Sequence, residues 1–302
     1  MIALRNSKQL KKLQAGNIDQ NYHELVRYLA NHDAPLDYLI AGELAQIQTF
    51  GIPSISKILR RTKQYEDHGT KRLDDTRAIL VEIMKDTVHS ERGAHMVKHL
   101  NWIHGHYEIS NDDYLYTLAL FLIEPNRWMN TFGYRKLADV ERRAAYLDFK
   151  DLGTAMNIKD IPADFESFND WYQNYRQHNM KFHPDNKIVA QGLIDGMKPM
   201  VPFFLRPIIQ PIMLTLLNDD ELIDAIGMKR PSVLMRFAVK SLMKVRATVL
   251  KVFNPWQHKA FEYGRIAQYY PTYPEGYEGQ LLGPEKVVRH ARPGSGCPYH
   301  MS

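Results

Sequence analysis

One periodicity governs these 302 residues. Apolar side chains return every three to four positions in segment after segment. No long run alternates apolar with polar, and no Asn-Gly pair joins two β-branched runs. A residue that returns every 3.6 positions lies on one face of a helix, whereas a half-buried strand needs a period of two. The chain is therefore confined to helices packed on helices, an all-α fold. Helices are expected over 19–31, 35–48, 53–65, 70–87, 91–107, 111–130, 136–155, 165–178 and 185–197, and then over 203–217, 219–226, 231–252 and 256–266. Ser110 or Asn111 caps the helix that opens with SNDD, acidic residues in its first turn suit the helix dipole, and Pro125 should kink it or close a turn before Arg127-Trp128. No fixed-period repeat or linker divides the chain. The expected organisation is an N-terminal helical extension over 1–34, one large helical domain over 35–266, and a Pro/Gly-rich tail over 267–302 that wraps the surface or ends free.

Composition narrows the function. At 44% apolar and 24% charged residues the chain can bury a large core. A formal charge of +5 permits contact with an acidic membrane surface. Nucleic acid is not an expected partner, because no finger spacing, RNA-module signature or basic block interleaved with aromatics occurs. A single cysteine, Cys297, excludes an internal disulfide and a cysteine metal cage. The first residues lack the apolar centre of a signal peptide. The longest apolar stretch, PMVPFFLRPIIQPIMLTLL over 199–217, holds Arg206, Gln210 and four prolines, so a kinked buried or interfacial segment is expected rather than a membrane span. The expected location is cytoplasmic or peripheral to a membrane.

The run RGAHMVKHLNWIHGHY places Arg92, His95, His99, Trp102 and His106 on one helical face, and Val97, Leu100, His104 and Tyr107 on another. His95 and His99 have the spacing of a helical metal pair, but with Arg92 beside them they read as a solvated polar face. His104 differs, since its stripe is apolar. It is either a satisfied core histidine or a ligand for something buried, and a haem iron needs such an axial imidazole in an apolar slot between helices. One helix earlier, Arg72, Thr76, Ile79 and Ile83 share a face. Arg72 there either pairs with a buried carboxylate, such as a haem propionate, or snorkels to solvent; Thr76 either donates to a bound molecule or bonds its own helix. Zinc-protease, P-loop, nucleotide-type glycine and serine-hydrolase motifs are absent.

The pair Arg72-x-x-x-Thr76, with His104 of NWIHGHYEISNDDYLYTLALFLIEPNRW following 28 residues after Thr76, resembles the MpaB/latex-clearing-protein family of haem oxygenases. Its mycophenolic-acid-pathway branch is the nearer match. IPSISKIL (52–59), FGYRKLADVERRAA (132–145), GTAMNIKDIP (153–162) and YPEGYEGQLLGP (273–284) look like the same branch, so the resemblance runs from about residue 35 to 284. It implies a helical fold around one non-covalent b-type haem, with His104 as iron ligand and Arg72 and Thr76 beside the haem as cofactor-binding and catalytic residues. The implied chemistry is O₂-dependent cleavage of a carbon–carbon double bond in a hydrophobic, isoprenoid-like substrate. In latex-clearing proteins a lysine that can cap the iron precedes the motif threonine; here that position is Asp75, so a lysine-capped resting state is not expected. Glu43 is an inward-facing candidate base only by analogy of region, and 199–217 is a candidate lining for the entrance tunnel. Cys297-Pro298 offers an alternative thiolate ligand.

A reading from another class also stands: a non-catalytic haem- or lipid-binding protein docked peripherally on membranes through 228–253. There Arg236, Lys240 and Lys244 form a basic stripe, with Met235, Val239, Leu242 and Val249 mainly elsewhere on the helix.

Overall fold

The computed structural model describes residues 4–261 and 270–289. Among them the fold is all-α, with no β-sheet and one isolated bridge between Leu4 and Phe253. The helices are α1 (Lys8–Gln14), α2 (Ile18–Tyr28), α3 (Pro35–Thr49), α4 (Pro53–Thr62), α5 (Gln64–Lys85), α6 (Glu91–His104) and α7 (Asn111–Thr131). They continue with α8 (Asp139–Ala155), α9 (Phe165–Asn179), α10 (Pro184–Met197), α11 (Ile209–Leu217), α12 (Asp220–Ala225), α13 (Val233–Val252) and α14 (Glu285–Val288). Their starts follow local chemistry. Ser90, Ser110, Asp164 and Ser232 each accept a hydrogen bond from a first-turn backbone N–H, and Pro35, Pro53 and Pro184 occupy first-turn positions where no donor is needed.

Two large apolar clusters share the α3–α7 pair as their common wall. One gathers Leu44, Ile47, Trp128, Leu193 and Leu214 from α3, α7, α10 and α11; the other gathers Ile79, Val97, Leu118, Leu152 and Phe168 from α5 through α9. Buried polar groups fix the register of this wall. Trp128 Nε1 donates to Asp37 (2.7 Å), Arg246 of α13 forks onto the same carboxylate (2.8 and 3.0 Å), and Gln48 donates to Glu124 (2.7 Å).

Several expectations need correction. Helix α7 does not turn before Arg127-Trp128 but runs through Pro125 to Thr131; its apolar residues feed both clusters, and this packing outweighs one missing backbone donor. Helix α5 starts six residues before its expected position and breaks at His68 (φ −139°, ψ 36°). The break adjoins Gly69, where α5 crosses α10 so closely that a Cβ would lie 2.6 Å from the carbonyl of Gly192. The helix expected over 203–217 is split into a 3₁₀ turn, Phe203–Ile208, and α11, because Pro207 and Pro211 supply no donors. In place of the helix expected over 256–266, residues 256–259 are turn and bend and 260–261 are irregular, with Asn254 accepting from the Trp256 backbone; residues 262–266 lie outside the described residues. Helix α1 was not anticipated by periodicity. No helix among the described residues is long and apolar enough to cross a membrane.

Candidate functional site

Helices α3 to α8 enclose a cavity that offers about 230 Å³ to the centres of water-sized molecules. Its wall is mostly aliphatic and aromatic, with Ile79, Leu100, Ile103, Phe121 and Phe149 among its residues. Arg72, Thr76 and His104 all line it, so the structure brings together the three residues singled out from the sequence. The helical period accounts for this. Arg72 and Thr76 are one turn apart on α5, and His104 ends the apolar stripe of α6 that begins at Val97.

The electrostatics of the trio are uneven. Loss of hydration, then the nearby Arg72 guanidinium, push the His104 imidazole down from 6.5 to about 4. The ring is therefore neutral at physiological pH, which is the ligating form. Its Nδ1 is buried without a hydrogen-bond partner, and the ring packs against Tyr114 at 5.5 Å between centroids. Thr76 Oγ1 donates to the Arg72 carbonyl (2.9 Å) and accepts from Arg72 Nη1, so its proton is held within its own helix. Arg72 lies over the Tyr65 ring (5.6 Å) and pairs with no carboxylate among the described residues. An apolar cavity thus contains a guanidinium with spare donors and a neutral, unsatisfied imidazole.

Other candidates are placed elsewhere. Glu43 is buried but ion-paired with Arg77 (2.5 Å) and absent from the cavity wall, so it is a structural partner of α5. Asp75, at the position of the lysine in latex-clearing proteins, is held by Lys71 (2.8 Å) and the Tyr273 hydroxyl (2.6 Å). No residue of 199–217 lines the cavity; Phe203 and Phe204 stand on the surface instead, so the tunnel expectation for that segment is overturned. His106 is exposed as expected, but His99 is not on a solvated face. It is fully buried, and its Nε2 bonds the Leu282 carbonyl at 2.8 Å. Among the described residues no three His, Cys, Asp or Glu side chains gather to hold a bare metal ion. Cys297 lies outside the described residues.

What covers His99 is the segment 270–289, and it also completes the cavity. Gly283 and Pro284 belong to the wall. Gly283 has φ +126°, and a Cβ there would lie 2.7 Å from Ile103 Cδ1, so only glycine fits. Thr272 N donates to Asp74 (2.9 Å), Tyr277 donates to Glu82 (2.8 Å), and Lys71 Nζ donates to the Gly283 carbonyl (2.9 Å). Composition marked this stretch as tail; the run YPEGYEGQLLGP was the one signal that it belonged to the site.

These residues fit a haem. His104 would be the imidazole available to hold its iron, and Arg72 the cation available to a propionate.

The catalytic-domain family described as ER-bound oxygenase mpaB/B'/rubber oxygenase matches residues 40–248. An ER-bound oxygenase mpaB' of Penicillium brevicompactum is 30% identical over 271 residues, covering 83% of this chain and 63% of its own length. An ER-bound oxygenase mpaB of the same organism is 31% identical over 187 residues, covering 56% and 48% respectively. That of Penicillium roqueforti (strain FM164) is 29% identical over 230 residues, covering 68% and 77%. The chain thus spans from about half to under two thirds of the first two relatives. It belongs to the mpaB/rubber oxygenase family.

Proposed function

We propose that this family member is a haem b-dependent oxygenase that uses O₂ to cleave or oxygenate a carbon–carbon double bond in a hydrophobic, isoprenoid-like substrate. The observation that carries the reading is the neutral His104, its Nδ1 without a hydrogen-bond partner, lining the same apolar cavity as Arg72, which forms no ion pair with a carboxylate among the described residues. Family membership supports the oxygenase class.

Haem, when bound, supplies the binding and activation of O₂. The chain's own residues do the rest. His104 is kept neutral by burial and is ready as a ligand without first losing a proton. Arg72 keeps N–H groups for an anionic or polar group, while one of its nitrogens is fixed to Thr76 Oγ1. Thr76 orients Arg72, its hydroxyl proton being already donated in a hydrogen bond to the Arg72 carbonyl. The aliphatic and aromatic wall excludes water and holds an alkene by shape. Relatives named as ER-bound support attachment to a membrane surface, and among the described residues no helix spans one.

Absorption spectra of the purified protein test this reading, as isolated, after dithionite and after CO, beside His104→Ala. The expected result is a histidine-ligated b-type spectrum that the variant loses, followed by O₂ uptake with an isoprenoid alkene. Absence of haem after reconstitution, or an unchanged spectrum in His104→Ala, refutes it. A thiolate-type spectrum would move the ligand to Cys297.

A further inference from the structure

At 100° per residue, α13 carries three lengthwise stripes. Met235, Val239, Met243 and Leu250 pack into the core. Arg236, Lys240, Lys244 and Lys251 form a basic stripe beside them. The third stripe is Leu234, Ala238, Leu242, Val245, Val249 and Val252, and it faces solvent: Leu234 is 77% exposed, Leu242 66% and Val245 62%. Phe237, 70% exposed, sits between the basic and apolar stripes. The sequence had grouped Leu242 and Val249 with Met235 and Val239; the fold sends the first pair outward and the second inward.

A surface helix normally turns polar residues away from its core. Here an apolar stripe extends for almost the whole helix. The 3₁₀ turn that leads into α11, the helix packed on α13, exposes Phe203 and Phe204 as well. Exposed apolar surface of this extent marks an interaction face. Charge identifies the partner. From Met228 to Phe253 there are seven lysines and arginines and no acidic residue. Arg230, Arg236 and Arg246 are paired with Asp220, Asp224 or Asp37 from outside the segment, and Lys240 bonds the neutral Asn218. Lys244 and Lys251 have no acidic partner among the described residues.

We propose that α13 lies in the plane of an anionic lipid surface, with its apolar stripe at the headgroup–acyl boundary and Lys240, Lys244 and Lys251 among the phosphates. A second copy of the chain fits this face poorly. Apposing two such helices brings like charges together with no carboxylate in the segment to offset them.

Vesicle flotation tests the proposal without turnover, so its outcome is independent of the oxygenase reading. The full chain is floated with phosphatidylcholine vesicles, with and without phosphatidylserine, at low and high salt. Binding is expected to need the anionic lipid and to weaken with salt. Lys244→Gln/Lys251→Gln should lower partitioning by about thirtyfold, since each lysine near an anionic surface contributes roughly 1 kcal/mol. Leu242→Ser/Val245→Ser/Val249→Ser should abolish flotation, with an unchanged circular dichroism spectrum and melting temperature because all three residues are exposed. Equal recovery with both vesicle types, or full flotation of the triple variant, overturns it. A dimer seen by light scattering, lost in the triple variant and without flotation, would assign the face to a second copy.

Discussion

Acidification should destabilise the haem-free protein through His104 more than through any surface histidine. The ring titrates at about 6.5 in the unfolded chain and is held at about 4 in the fold. Between these values the unfolded state binds a proton that the folded state refuses. Stability therefore falls as pH drops below 6.5 and levels off below 4. The full interval corresponds to about 3.4 kcal/mol, and the step from pH 7.5 to 5.0 to about 2 kcal/mol. Urea denaturation of wild type and His104→Gln at pH 7.5 and 5.0 isolates the ring, because other titrating groups contribute to both proteins alike. Wild type should lose about 2 kcal/mol more than the variant across this step. Arg72→Met should lessen the loss, since the guanidinium is the second cause of the depressed value. Equal losses in wild type and His104→Gln would refute a desolvated imidazole, and with it the main argument for a preformed ligand.

Three further outcomes test the architecture. Gly283→Ala should lower stability by about 1–3 kcal/mol, read as a lower melting temperature, because the methyl group meets Ile103 at 2.7 Å and the backbone is left-handed. Tyr273→Phe should cost about 1–3 kcal/mol in chemical denaturation, since buried Asp75 then loses the 2.6 Å hydroxyl donor. Arg246→Ala should cost about 3–5 kcal/mol in the same assay; it leaves Asp37 buried with Trp128 Nε1 as its remaining side-chain donor.

What could be read from sequence was whatever depends on a helix's own spacing. Arg72 and Thr76 share a face because they are four apart, and His104 points inward because Val97 and Leu100 do. Ser110 caps α7 through a contact three residues long, so it too was legible. Errors arose where a distant segment decides the outcome. His99 looked solvated on a wheel, but the Leu282 carbonyl that buries it is 183 residues away. Glu43 was correctly read as inward, yet nothing local shows that Arg77 occupies it. The break at His68 adjoins Gly69, where α5 crosses α10 closely, a contact that nothing local to α5 reveals. In α13, periodicity found the basic stripe but left Met235, Val239, Leu242 and Val249 in one apolar group, because the division between core and solvent is set by where α11 and α3 dock.

The cavity wall closes with residues from the far end of the chain. Thr272 reaches Asp74 and Tyr273 reaches Asp75 across 198 residues. On a ribosome, α5 and α6 emerge long before Gly283 and Pro284 are made. Ordering a loop of that length comes late because its closure entropy precedes any contact that offsets it. The local contacts of α5 and α6 can therefore form without the wall that Gly283 and Pro284 complete. The segment 270–289 is thus a strap over helices made much earlier, and the cavity beside Ile103 is walled only once Gly283 and Pro284 are in place.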